Sequence, residues 1–447
     1  MNIADSPLLT DLYQLTMMQA YYDHEMQEEA VFELFFRKLP KERDFLVACG
    51  LQQVLEYLEI LRFSDDDIEF LRQDGRFHDR FLSSLSEFRF TGSVHAMAEG
   101  TVFFPDEPVI RITAPLPQAQ LVETRIINIL QFQTMIASKA VRMRRLLPEK
   151  ILVDYGLRRS HGAEAGLMAA RASYVAGFDG TATVLAGRLF GIPLYGTMAH
   201  SFIQAHESEH EAFLHFADSH PENTTILLDT YDTEAAAKKV VALSGELREK
   251  GMHIRGVRLD SGDMIELSRR VRSILDAGGL EEVKIFASGN LDEYSLEAFH
   301  RENAPVDGFG VGSRLTTSAD VPYFDCAYKL VEYKGLGRRK LSKGKATWPG
   351  RKQVFRHFSA ENIMSGDLLA LAQEEDSGTP LIQRHMVDGV RPKPLPTLGE
   401  TRGFLQRQLA SLPPFLPDMQ RPYPVEPSTQ LQFYAEEVSE RMIQKNR

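Results

Sequence analysis

The residues best suited to chemistry stand at the ends of short apolar runs in the middle of the chain. Asp154-Tyr155-Gly156-Leu157-Arg158 follows one run, and Asp260-Ser261-Gly262 follows another. Residues of the same kinds stand at the ends of further runs: Thr197, His200, Asp229, Arg258, Ser288-Gly289-Asn290, Gly310 and Gly312-Ser313. Glycine and small hydroxyl residues let backbone N–H groups approach a phosphate closely, above all at a helix N-terminus. The pattern therefore favours a site for a phosphorylated small molecule.

Each of these segments, taken alone, also has an ordinary structural interpretation. Asp260-Ser261-Gly262-Asp263 fits a turn followed by a helix cap, because Asp and Ser favour both positions. The glycines of GFGVGS (308–313) fit a plain junction of strand and loop, and the segment does not match the G-x-G-x-x-G dinucleotide motif. Arg158 and Arg159 fit solvated surface charge as well as a ligand contact. The succession of six polar strand ends is what favours the functional interpretation.

One further segment, HESEH at 206–210, has the H-E-x-x-H spacing of a zinc hydrolase. Such a site needs His206 and His210 on a buried helix face, Glu207 as the catalytic base and a third ligand downstream. The extended form of the motif fails, because phenylalanines occupy positions 213 and 216. We interpret 206–210 as the polar part of a helix over 201–218 and expect no zinc. A zinc hydrolase stays as the alternative from another class.

His200 is placed differently, after the strand-like run IPLYGT and before that helix. A lone histidine is usually structural. A histidine beside loops of the phosphate-binding type is a candidate nucleophile or proton carrier. We therefore count His200 among the candidate catalytic residues.

The elements that position these residues alternate between strand and helix from Lys150 to about Thr317. Amphipathic stretches separate six strand-like runs, KILVDYG, IPLYGT, TTILLDT, HIRGVRLDSGD, VKIFASGN and PVDGFGVGS. This alternation predicts parallel strands with right-handed crossovers, in a doubly wound sheet or a barrel. Active sites of α/β barrels lie at the carboxyl ends of the strands, which is where the polar residues stand.

The flanks of this block predict a second domain. Residues 30–37 and 86–113 have the pattern of antiparallel strands, and strand-like patterning resumes over 321–334 and 351–358. A long helix over about 117–147 leads into the central block. We therefore predict three segments: 1–116, the first part of a sheet domain; 117–320, the α/β barrel; and 321–447, the second part of the sheet domain with a proline-rich, irregular tail after about 395.

Composition limits the classes of function. The chain has 447 residues and a net charge of -11, which argues against a nucleic-acid partner. Its two cysteines are too few for a disulfide framework and fit a reducing compartment. We see no signal peptide and no apolar run long enough to span a membrane. We expect a soluble, cytoplasmic enzyme without a membrane partner.

Seven segments together resemble the nicotinate phosphoribosyltransferases: LLTDLYQLTM, DYGLRRSHG, GTMAHSF, LLDTYDT, GVRLDSGD, FASGNL and GFGVGSRL, in that order. The resemblance extends from about residue 8 to about residue 358. It implies the type II phosphoribosyltransferase fold, an irregular α/β barrel with an α+β sheet domain built from both chain ends. It also implies a reaction in which nicotinate, phosphoribosyl pyrophosphate and ATP give nicotinate mononucleotide, pyrophosphate, ADP and phosphate. This is the first step of NAD synthesis from nicotinate.

The resemblance implies a role for each candidate residue. His200 is phosphorylated by ATP, Asp260 holds the ribose or steadies its cationic centre, and Mg²⁺ arrives with the pyrophosphate rather than on protein side chains. Tyr13, Tyr155, Thr197 and Arg258 bind nicotinate; Arg158, Ser288, Gly289, Gly310, Gly312 and Ser313 bind the phosphoribosyl group and phosphates. A basic loop over 338–352, in a region with eight Lys or Arg from Arg338 to Arg356 and no acid, is expected to assist. In relatives the counterpart of Tyr13 comes from a second subunit, so a homodimer with shared sites is expected.

One position bears on the choice between acid and amide. Related nicotinamide enzymes carry an aspartate that accepts a hydrogen bond from the amide, and we align Ala182 with it. An aspartate would repel a carboxylate, so alanine favours nicotinate, although Asp179 is close in sequence. The nicotinamide and quinolinate phosphoribosyltransferases stay as alternatives within the class, and a non-catalytic relative stays as one outside it.

Overall fold

The computed structural model describes residues 6–342, 347–414, 416 and 422–445. Its helices are α1 (Leu12–Asp23), α2 (Leu51–Ile60), α3 (Asp65–Asp74), α4 (Asp79–Leu85), α5 (Leu116–Leu121), α6 (Glu123–Leu146), α7 (Ala163–Val175), α8 (Val184–Phe190), α9 (His200–Gln204), α10 (Glu209–Ser219), α11 (Thr233–Glu249), α12 (Met264–Ala277), α13 (Glu293–Arg301), α14 (Ser313–Thr316), α15 (Leu398–Ala410) and α16 (Thr429–Lys445). Its strands are β1 (Glu29–Phe36), β2 (Leu46–Val47), β3 (Ser93–Met97), β4 (Val102–Phe103), β5 (Pro108–Pro115), β6 (Ile151–Asp154), β7 (Gly180–Thr181), β8 (Thr224–Leu227), β9 (Ile254–Leu259), β10 (Lys284–Ser288), β11 (Gly308–Val311), β12 (Cys326–Tyr333), β13 (Leu336–Gly337), β14 (Lys352–Phe358), β15 (Met364–Leu371), β16 (Thr379–Pro380), β17 (Ile382–Met386) and β18 (Val425–Pro427). Within these residues, no helix has the length and apolar character needed to cross a membrane.

The chain divides into a central unit, 139–322, and a terminal unit made of 1–138 and 323–447. The first division lies inside α6, whereas we expected the barrel segment to begin at 117. Contacts of the helix explain the position. Ser138 accepts a hydrogen bond from the backbone of Val47 in the terminal unit (3.0 Å). The next residue, Lys139, is buried in the central unit against Glu293 (2.7 Å) and Asp320 (2.6 Å).

The central unit contains a parallel sheet with the strand order β7-β6-β11-β10-β9-β8. The sheet curls into a half-barrel, which confirms the predicted irregular α/β barrel. Its strands are short and mostly buried, as expected of strands covered by crossover helices. The predicted strand over 192–197 forms only an isolated parallel bridge, between Leu194 and Thr181.

The single helix predicted over 201–218 is wrong, because the structure has two helices there, α9 and α10. Ser208 lies between them in an extended conformation, with φ -150° and ψ 154°, and its hydroxyl accepts from the backbone N–H of Glu211. This N-cap starts a new helix and leaves His206 and Glu207 in the connecting turn. The polar spacing of HESEH thus marks a helix start and not a continuous helix face.

The terminal unit is built around an antiparallel sheet with the order β13-β12-β1-β5-β3-β17. β1, β3 and β5 precede the central unit in sequence, and β12, β13 and β17 follow it. This confirms the predicted sheet domain formed from both chain ends. A four-stranded sheet, β16-β14-β15-β18, belongs to the same unit.

The predicted irregular tail after about 395 is wrong, because α15 and α16 lie there. Thr397 and Glu400 form a capping box at the start of α15. In α16, Leu431, Ala435 and Val438 are buried at the four- and three-residue spacing of one helix face. The prolines that suggested irregular structure lie outside the bounds of these two helices, at 396, 413, 414, 417, 422, 424 and 427.

Candidate active site

The polar strand ends of the central unit meet at one edge of its sheet. β8, β9, β10, β11 and β6 are consecutive parallel neighbours. Since parallel neighbours end at the same edge, the loops that follow them are adjacent, as the sequence pattern predicted.

His200 is the first residue of α9, and its imidazole faces two of these loops. Nδ1 lies 3.1 Å from the hydroxyl oxygen of Thr230, which comes after β8. Nε2 lies 3.9 Å from a carboxylate oxygen of Asp260, which follows β9. The side chains of His200 and Asp260 are 39% and 38% exposed, so a small ligand can reach both.

Asp260 is held on two sides. The hydroxyl of Ser288, at the end of β10, donates to one carboxylate oxygen of Asp260 at 2.5 Å. The backbone N–H of Asp260 donates to a carboxylate oxygen of Asp229 at 3.0 Å, and the Ser261 hydroxyl donates to the same oxygen at 2.5 Å. The carboxylate of Asp260 is therefore fixed in place while its second oxygen is directed towards His200.

Asp229 has a larger part in this arrangement than the sequence indicated. It stands just beyond β8, and we noted it there only as a strand-end residue. One of its carboxylate oxygens joins the loop after β9 to the loop after β8. The other is buried and has no hydrogen-bond partner among the described residues. Buried carboxylate oxygens are usually paired, so this oxygen is an exception within the site.

Gly289 is required by the close approach of two loops. Its φ is +96°, and a Cβ atom there would lie 2.1 Å from the backbone oxygen of Asp260. The loops after β9 and β10 therefore pack backbone against backbone. Gly312, the cap residue of α14, is less crowded, and its nearest neighbour would be the backbone oxygen of Tyr155 at 3.2 Å. Ser313 follows it as the first residue of α14.

Gly310 has a different role from the phosphate contact that the resemblance implies. It is buried inside β11, and a Cβ atom there would lie 2.5 Å from the ring of Tyr155. The glycine therefore makes room for that ring, which closes one side of the site. Burial raises the pKa of the Tyr155 hydroxyl, and the neighbouring Arg258 guanidinium opposes the rise.

Arg258 and Thr197 lie together, as predicted. Nη1 of Arg258 donates to the Thr197 hydroxyl at 3.0 Å, and Nη2 donates to the backbone oxygen of Met198 at 2.9 Å. Nε of Arg258 is buried and has no hydrogen-bond partner in the described part of the chain. Arg258 as a whole is half-buried, and a partly shielded guanidinium held in place in this way is suited to binding a carboxylate.

Asp154 holds the loop that carries Tyr155. It is fully buried at the end of β6, and its carboxylate accepts from the backbone N–H of Gly156 and from the Thr181 hydroxyl, both at 2.8 Å. Burial raises the pKa of this carboxyl to about 6, and the two hydrogen bonds limit the rise. Asp154 thereby ties the loop after β6 to the end of β7.

Ala182 and Asp179 lie on opposite sides of the two-residue strand β7. Ala182 is exposed just after the strand, and its N–H donates to the backbone oxygen of Asp154 at 2.8 Å. Asp179 lies before the strand, where it pairs with Arg144 at 2.5 Å and accepts from the backbone of Leu152 at 2.9 Å. Asp179 is therefore engaged away from the carboxyl ends and does not take the place of an aspartate at 182.

The remaining predicted residues are more dispersed. Arg158 is exposed on a short 3-10 turn, Leu157–Arg159, directly after Tyr155. Tyr13 belongs to the terminal unit, where it is 47% exposed on α1. In the basic loop over 338–352, residues 343–346 lie outside the described part of the chain.

The HESEH segment does not have the geometry of a zincin helix. His206 lies outside both helices, with Nδ1 2.7 Å from the backbone oxygen of Phe202 and Nε2 3.1 Å from a ring nitrogen of His215. The nearest carboxylate to His210 is that of Glu246, 3.8 Å away. His206 and His210 therefore have separate partners and do not share one helix face.

Comparisons with known proteins point in one direction. The model of the nicotinate phosphoribosyltransferase N-terminal domain matches residues 8–131, and that of the nicotinate phosphoribosyltransferase family matches residues 151–337. Nicotinate phosphoribosyltransferase pncB2 of Mycobacterium tuberculosis is 47% identical, over 92% of this chain and 88% of that protein. Nicotinate phosphoribosyltransferase of Bacillus subtilis is 39% identical, over 82% of this chain and 76% of that protein.

Solved structures agree with these sequence matches. The crystal structure of human nicotinic acid phosphoribosyltransferase is similar with a TM-score of 0.86 and 29% identity, over 96% of this chain and 99% of that chain. The crystal structure of nicotinate-nucleotide pyrophosphorylase from Pyrococcus furiosus is similar with a TM-score of 0.75 and 26% identity, over 91% of this chain and 96% of that chain.

Proposed function

The chain belongs to the nicotinate phosphoribosyltransferase family, and we propose that it transfers phosphoribosyl from phosphoribosyl pyrophosphate to nicotinate in an ATP-coupled reaction. The products are nicotinate mononucleotide and pyrophosphate, together with ADP and phosphate from the coupled hydrolysis. The reaction is the first step of NAD synthesis from nicotinate. Neither cysteine forms a disulfide within the described part of the chain, which is consistent with the reducing cytoplasm, where we place the enzyme.

The observation that carries this proposal is the buried, unpartnered Nε of Arg258 beside the Thr197 hydroxyl. A pyridine ring against Tyr155 would bring its carboxylate to this guanidinium. Ionised acceptors form stronger hydrogen bonds to arginine than neutral amides do. The absence of a carboxylate at Ala182 removes a source of repulsion. Both features favour nicotinate over nicotinamide.

The transfer step breaks the bond between the ribose anomeric carbon and pyrophosphate and forms a bond from that carbon to the pyridine nitrogen. Positive charge develops on the ribose in the transition state, and the Asp260 carboxylate, held by Ser288, is suited to stabilise it. The backbone N–H groups near Gly289 and Gly312, with the Ser288 and Ser313 hydroxyls, would bind the 5′-phosphate.

The leaving pyrophosphate carries several negative charges and departs with its Mg²⁺, which supplies further charge neutralisation. Arg158 is exposed directly after the loop of Tyr155, so its guanidinium is free to move onto the leaving group.

ATP coupling is assigned to His200. An imidazole nitrogen of His200 attacks the γ-phosphorus of ATP, the bond to the bridging oxygen breaks, and ADP leaves. Water later removes the phosphoryl group and regenerates His200. Thr230 orients the ring, and Asp260 lies close enough to respond to the added charge. Because Asp260 also faces the ribose, phosphorylation can affect the transfer step directly.

We further propose a homodimer whose sites are completed by Tyr13 of the second subunit. Four apolar side chains on and after α8 are exposed in the single chain: Val184 (71%), Leu185 (48%), Leu189 (56%) and Leu194 (52%). An apolar cluster of this kind is typical of a surface that is covered in an assembly. It lies directly after Ala182, close to the proposed nicotinate site.

The experiment that tests the proposed reaction compares nicotinate, nicotinamide and quinolinate as acceptors, each with phosphoribosyl pyrophosphate and Mg²⁺, with and without ATP. Products are separated by chromatography. We expect nicotinate to be the preferred acceptor and ATP to increase its turnover. Preference for nicotinamide or quinolinate would contradict the assignment of Arg258 and Ala182, and the absence of any nucleotide product would contradict the proposed reaction.

A further inference from the structure

A cavity lies at the edge of the central sheet opposite to the candidate active site. It has a volume of about 590 Å³ and is bordered by the last turns of α11, the start of β9 and the segment that leads into β10. β9 and β10 are parallel, so their first residues are at the edge away from Asp260 and Ser288. A strand of six residues such as β9 separates the two edges by about 15–20 Å. The cavity is therefore a separate place on the unit.

The lining of this cavity is basic. Arg248, His253, Arg255 and Lys284 contribute to it, and Glu282 is its only acidic lining residue. Lys284 is 3.3 Å from a carboxylate oxygen of Asp307. Arg248 and Arg255 are exposed, and neither forms an ion pair within the described residues. In a chain with a net charge of -11, two uncompensated arginines facing one cavity favour an anionic ligand.

The lining also has an apolar part. Ile254, Leu280 and Val283 are 8%, 8% and 4% exposed, and Met252 lies beside them. Gly279 has a φ of +71°, and no atom lies within 4 Å of the place its Cβ would occupy, so the cavity is open there. A cavity of this size with an apolar floor and convergent cations matches a ligand that has both a flat ring and phosphate groups.

We propose that this cavity binds a nucleotide, with its phosphates on Arg248 and Arg255 and its base on the apolar floor. Guanidinium groups bind phosphate oxygens in pairs, which suits two arginines without other partners. This nucleotide site shares no residue with the candidate active site. The strand β9 lies between the two sites: it begins at the cavity with Ile254 and Arg255, and Arg258 and then Asp260 stand at its other end.

The test uses hydrogen–deuterium exchange on the full-length chain with ATP, inorganic phosphate or adenosine as the probe. We expect ATP to slow exchange over 248–255 and 279–284, with phosphate and adenosine at the same concentration giving much less protection. The double variant Arg248→Gln/Arg255→Gln should weaken this ATP protection by about tenfold or more in concentration. Arg301→Gln is the matched control, because this exposed arginine on α13 lies outside the cavity.

The double variant changes only exposed side chains, so its melting temperature and its transferase activity should stay at the wild-type level. Protection that is unchanged in the double variant would overturn the proposal. Equal protection by inorganic phosphate would overturn the nucleotide assignment and leave a simple anion site.

Discussion

Two residues, Arg258 and Ala182, are proposed to distinguish nicotinate from nicotinamide. Arg258 is fixed by Thr197 and the backbone of Met198, yet keeps one buried donor unused. Ala182 is exposed just after β7, and its backbone N–H donates to the backbone oxygen of Asp154. In the proposed reaction, the nicotinate carboxylate would bind Arg258 and would meet no carboxylate at position 182.

Ala182→Asp should reverse part of this preference. The new carboxylate would repel nicotinate, and we expect kcat/KM for nicotinate to fall roughly 10- to 100-fold. Nicotinamide, which can donate to the new carboxylate, should gain measurable turnover. Ala182→Asn is the matched control, since it adds nearly the same volume without charge. Equal losses for the Asp and Asn variants would show that size, and not charge, matters at this position.

The sequence allowed the residue types of the site to be predicted, but not their partners. His200, Asp260, Arg258 and Thr197 are recognisable because they stand at strand ends. The central role of Asp229 depends on contacts with a loop about thirty residues later, which no local pattern reports. Gly310 fits a phosphate loop as a sequence pattern, but the structure shows a glycine that gives space to the Tyr155 ring.

Among the elements of the central unit, Asp154 links the ends of β6 and β7. Ionisation of its buried carboxyl lowers the stability of the folded state. The folded-state pKa of about 6 lies above the ordinary value of 3.8, so the native state binds this proton more tightly than the unfolded chain does. The resulting stabilisation is fully present below about pH 4 and is lost as the pH rises through 6.

Asp154→Asn removes this titration. The free energy of unfolding of the wild type, relative to that of the variant, should fall by about 2.5 kcal/mol between pH 4 and pH 7, because one pKa unit corresponds to about 1.4 kcal/mol and the last part of the shift is reached only below pH 4. Urea unfolding followed by fluorescence at both pH values measures the difference. Asp179→Asn is a suitable comparison, since that carboxylate is partly exposed and paired with Arg144. If the difference in the free energy of unfolding between wild type and Asp154→Asn were the same at both pH values, the raised pKa assigned to Asp154 would be contradicted.

The elements that the sequence predicted best are the strongly periodic ones. The runs predicted as strands over 150–156, 224–230, 253–263, 283–290 and 305–313 contain β6, β8, β9, β10 and β11. They were recognisable because buried parallel strands are short and apolar. The break between α9 and α10 was not, because the cap at Ser208 occurs inside a stretch with helical spacing. The helices α15 and α16 were also not predicted, because the prolines near them suggested irregular structure. The structure shows a capping box at the start of α15 and one buried face on α16.

At the scale of the whole molecule, the proposed dimer can be tested through its shared site. Tyr13→Ala and His200→Ala each remove one part of the site, and these parts are assigned to different subunits. Coexpression of the two variants should restore ATP-stimulated turnover that neither has alone, since a mixed dimer contains one complete site. Sedimentation velocity of the wild type checks the oligomeric state. A monomer, or variants that never complement, would contradict the shared site.

The proposed coupling of ATP hydrolysis to nicotinate transfer by His200 is tested by measuring nicotinate mononucleotide formation and ATP hydrolysis together in wild type and His200→Ala. We predict that His200→Ala keeps a slow transfer that ATP does not stimulate, and that γ-labelled ATP marks the wild type but not the variant. His206→Ala, in the HESEH segment, should behave as the wild type. Normal ATP-stimulated turnover in His200→Ala would contradict the account.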